Sequence, residues 1–133
     1  MNILLLGTDN SITRTIRDML KSVNSWVINL ITDLTTDRHI EIQINDRNTV
    51  YDIVVANLDG LPESPKTIVD EIANQFPKIP ILILYSYSHE FLIDPLLDAG
   101  ANGYLQVGAS ETKLFEAVQK VSDGQQHVFT ETT

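Results

Sequence analysis

The chain has 133 residues, 43% of them hydrophobic, which fits one domain with a core of its own. It carries 18 acidic and 9 basic residues, a formal net charge of −9. A phosphate backbone repels such a domain, so we expect no direct nucleic-acid binding. It has no cysteine, which excludes disulfides, thiolate metal sites and a cysteine nucleophile. No apolar run approaches the roughly 20 residues that cross a bilayer, and we expect a cytoplasmic domain without membrane contact.

Strand and helix patterns alternate from the N-terminus. Ile3–Leu6 is a continuous apolar run, typical of a strand covered on both faces. Apolar residues then recur at helical spacing over 12–23, and Thr8 or Asp9 is the predicted N-cap of that helix. Trp26–Ile31 is predicted to be the second strand.

The segment after the second strand gives two conflicting signals. In residues 39–46, isoleucines alternate with polar residues, which is the period of a strand and disfavours a helix. A parallel crossover nevertheless needs a connector, which is usually a helix. Two predictions therefore stay open: a helix within residues 36–46, or a β-hairpin with the strand at Trp26–Thr32.

The second half returns to strict alternation. Ser64 and Pro65 are typical of a helix start, a cap followed by a first-turn proline. The predicted strands are Ile53–Val55, the run "IPILILY" from Ile79, and Gly103–Val107. The remaining predicted helices are Phe91–Ala99 and a last helix from Ser110 that closes before Gly124.

This alternation predicts an α/β fold of the doubly wound, flavodoxin-like kind. We expect a five-stranded parallel sheet of order 2-1-3-4-5, with helices on both faces. Residues 1–124 form the predicted domain, and residues 125–133 a tail or the start of a linker. In such a sheet the ligand crevice lies at the carboxyl ends of the strands. Here the loops "GTDNS" and "NLDGLP" are expected to line it.

Several stretches resemble the receiver domain of two-component response regulators. The C-terminal part is the most specific, with "DAGANGYL" followed by "GAS" and "LFEAVQKV". "ILLLGTDNSITRTIRDML" is similar to the first strand and helix of the family, and "YDIVVANLDGLP" to its third strand and loop. The resemblance covers most of the chain and is weakest at residues 33–50. It implies a signalling module rather than an enzyme.

In the family, two adjacent acids and an acceptor aspartate hold Mg²⁺, which offsets charge on the transferred phosphoryl group. The resemblance puts the acid pair on Gly7 and Thr8, with the single carboxylate of Asp9 next along. The acceptor position falls on Asn57, whose amide is no nucleophile. It therefore implies that Mg²⁺ binding is weak or absent, and we predict no other cofactor or metal site.

The family's phosphate-binding side chains are also missing. Its Ser/Thr position falls on Tyr85, with Ser86 adjacent as a substitute, and its lysine position falls on Val107. The switch aromatic is kept as Tyr104, three positions earlier. The metal ligands, the nucleophile and the phosphate-binding side chains of the family are all missing. The sequence therefore resembles a degenerate receiver that works without phosphorylation.

Other functions stay open at this point. Asp59 or Asp9 could replace the acceptor in phosphotransfer. A vacant crevice could bind a small molecule, and the "GTDNSIT" loop could hold the phosphate of FMN as flavodoxins do.

The resemblance also implies partners. The family pairs through its last two helices and fifth strand, so a homodimer is expected there, and the tail resembles the stretch that leads to a DNA-binding helix-turn-helix output domain. The candidate dimer surface comprises Phe91, Ile93, Lys113, Glu116 and Lys120.

Overall fold

The computed structural model describes residues 1–32, 50–61, 63–87 and 91–125 in full, and the backbone of residues 35–36, 39–40, 90 and 127–129. The helices are α1 (Ser11–Lys21), α2 (Pro65–Gln75), α3 (Glu90–Asp98) and α4 (Glu111–Ser122). The strands are β1 (Asn2–Leu6), β2 (Val27–Ile31), β3 (Thr35–Thr36), β4 (His39–Ile40), β5 (Ile53–Asn57), β6 (Ile81–Tyr85), β7 (Gly103–Gln106) and β8 (His127–Phe129).

The main sheet has six strands in the order β2-β1-β5-β6-β7-β8, and each neighbouring pair is parallel. Its first five strands have the predicted order 2-1-3-4-5, so the flavodoxin-like fold is confirmed. The sixth strand, β8, follows α4 and pairs with the outer edge of β7. It lies within the stretch that the sequence predicted as a tail.

Two hydrophobic cores cover the two faces of this sheet. Alternate strand residues point to opposite faces, so Leu4 and Val54 belong to one core, and Ile3 and Val55 to the other. The first core is closed by α2 and α3, and the second by α1 and α4. Burial on both faces explains why the strands are continuous apolar runs.

The helix starts follow local capping chemistry. Ser64 caps α2 with Pro65 in the first turn, as predicted. The prediction of Thr8 or Asp9 as the cap of α1 is wrong, because Oδ1 of Asn10 accepts from the backbone N of Thr13 at 2.9 Å. No helix in the described ranges is long and apolar enough to cross a membrane.

The ambiguous segment contains strand rather than helix where it is described. The short strands β3 and β4 pair with each other in antiparallel fashion, and Thr35 lies opposite Ile40. The prediction of a helix within residues 36–46 is therefore wrong at residues 36 and 39–40. The alternative hairpin requires pairing with β2, whose described neighbour in the sheet is β1. Residues 37–38 and 41–46 of that prediction lie outside the described residues.

Candidate functional site

The loops that follow β1, β5, β6 and β7 meet at one edge of the sheet, because these strands run parallel. The register pairs Leu6 with Ala56, so Gly7 and Asn57 come next to each other at the ends of their strands. The structure thus brings together the predicted acid-pair and acceptor positions.

Asn57 is fully buried, and both ends of its amide are hydrogen-bonded. Its Nδ2 donates to Oγ1 of Thr13 at 3.2 Å, and its Oδ1 accepts from the backbone N of Asp59 at 3.3 Å. Among the described residues, Asn57 and Thr13 are the two polar ones that are buried. Burying them is tolerable because each provides a hydrogen-bond partner for the other. The amide is therefore sealed from solvent as well as unreactive.

Thr13 occupies the space beside Gly7. A β-carbon built on Gly7 would lie 3.0 Å from Oγ1 and 3.1 Å from Cγ2 of Thr13, and 3.3 Å from Cβ of Asn57. Thr13 is itself fully buried in α1, so it has no room to retreat. A side chain at position 7 would crowd Thr13, and the glycine avoids that contact.

Thr8 and Asp9, which follow Gly7, do not place a carboxylate beside Asn57 either. Oγ1 of Thr8 is buried without a hydrogen-bond partner among the described residues. It lies against Gly60, which has φ of +84° and where a β-carbon would come within 3.2 Å of that oxygen. Asp9 is exposed instead, and its carboxylate pairs with the guanidinium of Arg14 at 3.1 Å.

These residues do not fit Mg²⁺. The ion requires a near-octahedral set of oxygen ligands and takes one or two carboxylates from the protein. Gly7 provides no side-chain ligand, the amide oxygen of Asn57 already accepts a hydrogen bond, and the exposed carboxylate of Asp9 pairs with Arg14. Within the described ranges, no three His, Asp or Glu side chains cluster in a way that could hold a metal.

Asp59 ties the loop after β5 to the loop after β6. Its Oδ1 accepts from the backbone N of Ser86 at 3.2 Å, and its Oδ2 accepts from the Ser86 hydroxyl. The ring of Tyr85 lies edge-on against Tyr87, with centroids 5.1 Å apart. Burial, followed by the charges of Tyr87 and Asp59, raises the pKa of Tyr85. Of the two candidates for the Ser/Thr position, Ser86 thus has its hydroxyl within this loop network.

Tyr104 holds the same loop from inside. Its side chain is fully buried, and its hydroxyl donates to the carbonyl oxygens of Tyr87 at 2.6 Å and Tyr85 at 3.2 Å. Burial, with a smaller contribution from the charge of Asp59, raises the pKa of Tyr104 to about 12. The switch position therefore holds an inward, protonated ring.

The lysine position carries an apolar side chain. Val107 is half-buried and packs against the core between α1 and α4, and its backbone N donates to the carbonyl of Tyr85 at 3.1 Å. Nε2 of the preceding residue, Gln106, donates to the carbonyl of Ser86 at 3.2 Å. This loop therefore binds the neighbouring backbone and offers no charge to a phosphate.

Only some residues of the candidate dimer surface are exposed. Phe91 is 84% exposed, but Ile93 is buried in the core, so the expectation that Ile93 lies at the surface is wrong. Glu116 and Lys120 form an ion pair of 2.7 Å along α4, and Lys113 is half-buried in its first turn. The outer edge of β7, expected in the interface, is already paired with β8.

The sequence offered Thr13 only as a hydroxyl of the "GTDNSIT" loop, and its pairing with Asn57 was not predicted. Its spacing carried a signal, because Thr13, Ile16 and Leu20 share the core-facing side of α1 at helical spacing. A hydroxyl on the core-facing side of a helix needs a buried hydrogen-bond partner. Asn57, the last residue of β5, is a polar residue close enough to provide it.

No family model matches the sequence. Among solved structures, the response regulator ChrA of a heme-sensing two-component system is 25% identical, with a TM-score of 0.70 over 95% of this chain and 58% of that chain. The non-phosphorylated receiver domain of RcsB from Escherichia coli is 15% identical, with a TM-score of 0.74 over 98% of both chains. A LuxR-family response regulator from Aurantimonas is 17% identical, with a TM-score of 0.75 over 95% of this chain and 87% of that chain.

This chain covers only part of the longer response regulators that it matches. This chain spans 58% of ChrA and 62% and 64% of two chains of RcsB from Salmonella typhimurium, less than two thirds of each. The isolated receiver domain of Escherichia coli RcsB is matched from end to end. The strand order, the four helices and these neighbours agree: the chain has the fold of response-regulator receiver domains.

Proposed function

We propose that this chain is a receiver-type signalling module that acts through protein contacts and does not depend on phosphorylation. The observation that carries the proposal is the buried amide of Asn57, which is hydrogen-bonded to Thr13 at the acceptor position. With Thr13 packed beside Gly7, the space needed by an acidic pair is filled by the protein's own side chain. Accordingly, we propose that it is not an enzyme and has no Mg²⁺ cofactor.

The alternative acceptors are poorly placed for phosphotransfer. Both carboxylate oxygens of Asp59 accept hydrogen bonds from Ser86, and the carboxylate of Asp9 pairs with Arg14. Among the described residues, neither belongs to a group of three His, Asp or Glu side chains that could hold a metal. Phosphoryl transfer relies on such a metal to neutralise the developing charge. Binding of FMN in the crevice is disfavoured as well, since Thr13 and Asn57 are buried against each other at the carboxyl ends of β1 and β5.

The proposal is tested by intact-protein mass after incubation with acetyl phosphate and Mg²⁺. We expect no phosphoryl adduct on the wild type or on Asn57→Asp, because restoring the acceptor alone leaves Thr13 in place and restores no acid pair. Asp59→Asn serves as the matched variant. An adduct on the wild type that disappears in Asp59→Asn would show phosphotransfer through Asp59 and refute the proposal.

Self-association is the second part of the proposal. Three apolar side chains on and just before α3 are exposed: Phe91 at 84%, Tyr87 at 59% and Leu92 at 45%. We call Tyr87, Phe91 and Leu92 the α3 patch. Exposed apolar groups of this size are typical of contact surfaces. We propose that the α3 patch, together with α4, forms the contact between two copies.

The remaining proposals concern the cellular setting. We propose a cytoplasmic regulator in which this module controls a DNA-binding output segment. The support is that the chain matches only 58% of ChrA and 62% of an RcsB chain whose structure was described for its DNA interaction. With a net charge of −9, this module is expected to leave DNA contact to such a segment.

A further inference from the structure

A cavity of about 340 Å³ lies between α1 and the loop from β7 into α4. Apolar side chains from four elements form most of its wall, among them Ile12, Ile16, Met19, Leu105, Val107 and Leu114. The cavity opens to solvent beside Ile12, which is 47% exposed. Asn57, Thr13 and Gly7 are not among its lining residues, so it is separate from the closed site.

We propose that this cavity binds a small, uncharged, largely hydrophobic molecule about the size of two fused aromatic rings. Ligand sites of roughly 300–1,000 Å³ are usual, and an apolar cavity of about 150 Å³ accepts benzene, so this volume suits about two rings. None of the lining residues is charged. A charged ligand would lose hydration there without gaining an ion pair, which favours a neutral one.

The wall also suits one polar group on the ligand. The side chains of Ser11, Thr15 and Gln106 contribute to the lining. Oγ1 of Thr15 donates to the carbonyl of Ser11 at 2.8 Å, and a hydroxyl in that role keeps lone pairs that accept a further hydrogen bond. Met19 belongs to the same wall, and its flexible thioether adapts to ligands of different outline.

A hydrogen-bonded path connects the cavity to the closed site. Gln106 lines the cavity and donates to the carbonyl of Ser86, and Ser86 donates to Asp59. Tyr104 holds the same loop through the carbonyls of Tyr85 and Tyr87. A ligand that displaces Gln106 therefore acts on the loop beside the switch residue. This regulatory consequence rests on the proposed function, whereas the binding itself does not.

Binding is tested by two-dimensional NMR titration of the full chain with indole and with 1-naphthol, and with 1-naphthoate as the charged comparison. We expect saturable amide shifts over 11–19 and 106–109 with the two neutral probes, and weaker binding of 1-naphthoate. Val107→Phe fills the cavity from its rim and should weaken binding at least about tenfold, or about 1.4 kcal/mol. Val27→Phe makes the same change on exposed β2 and should bind as the wild type does.

The path is tested with Gln106→Met, which removes the donor to Ser86. Probe binding should persist, but the shifts should no longer reach Ser86 and Tyr87. The inference is overturned if neither neutral probe gives saturable shifts, or if Val107→Phe and Val27→Phe bind equally well. It is also overturned if the same amides shift with protein concentration alone, since a second copy would then fill the cavity. Phosphorylation of the wild type would instead refute the proposed function and leave this binding unaffected.

Discussion

At the scale of residues, one neutral pair stands where a phosphotransfer site needs a charged cluster. Asn57 and Thr13 are buried together and hydrogen-bonded at 3.2 Å, and Gly7 leaves the space that Thr13 fills. The pair satisfies its own polar groups, so nothing remains at the acceptor position to attract Mg²⁺ or phosphate. One packing arrangement thus accounts for the residue types at both positions 7 and 57.

Gly7→Ala tests this packing. The added methyl group would crowd Thr13, and we expect a loss of about 1–3 kcal/mol in the free energy of unfolding. In a Thr13→Ala background the clash is relieved, so the same change should cost at least about 0.5 kcal/mol less. Urea unfolding of the four proteins in the cycle measures this. Additive effects would mean that Thr13 does not occupy the space beside Gly7.

Tyr104→Phe tests the inward ring. The variant loses the hydrogen bonds to Tyr85 and Tyr87, and at neutral pH we expect it to be about 1 kcal/mol less stable. The fold favours the protonated hydroxyl, because the pKa of Tyr104 is raised from its ordinary value of 10.0 to about 12. Its contribution is fully present below pH 10.0 and is lost as the pH rises through about 12.

The stability difference between wild type and Tyr104→Phe should therefore shrink between those two pH values. Denaturant unfolding at a series of alkaline pH values measures it. A difference that stays constant or grows with pH would contradict the buried, protonated state of the hydroxyl.

At the scale of elements, local chemistry explains most of what the sequence predicts and what it misses. The cap at Ser64 and the apolar runs of β1 and β6 follow from residue type alone. The predicted N-cap of α1 is wrong because Thr8, Asp9 and Asn10 are all residue types that suit an N-cap. The turn after β1 determines that Asn10 takes this position. Only the packing of α1 on the sheet makes Thr13 a partner for Asn57.

Three short strands depend on tertiary pairing. The residues of β4 begin the segment with a strand period, but the sequence gives no signal for their partner, which is β3. The strand β8 has three residues and little pattern, and it exists because the edge of β7 provides hydrogen-bonding groups. Since β8 covers that edge, the proposed contact between copies is assigned to the helices.

Phe91→Ser tests the α3 patch at this scale. Truncating a large exposed apolar side chain at the centre of a contact typically costs 1 kcal/mol or more, and we expect self-association to weaken about tenfold. Val27→Ser is the matched control, because Val27 is 64% exposed on β2 at the other edge of the sheet. Sedimentation velocity over a range of concentrations measures both. A monomeric wild type, or equal behaviour of the two variants, would contradict the proposed contact.

At the scale of the whole molecule, the alternation of strands and helices in the sequence predicts the sheet order, and the structure confirms it. The five predicted strands took the order 2-1-3-4-5 because parallel connections with short loops leave few alternatives. The sequence places Gly7, Asn57 and Val107 at the carboxyl ends of neighbouring strands, and their match to receiver positions stays a prediction. The side chain that packs beside Gly7 and Asn57 was not predictable, since Thr13 comes from another element and is recognised only by its contacts.

The most direct test of the central claim is an amide NMR spectrum of the full chain titrated with Mg²⁺ and BeF₃⁻, a mimic of the phosphoryl group. The sealed pair at Asn57 and Thr13 predicts no saturable shifts at residues 7–13, 57–60 or 85–87. Saturable shifts centred on Asn57, with movement of Tyr104, would show a site that still accepts metal and phosphate, and would contradict a receiver that works without phosphorylation.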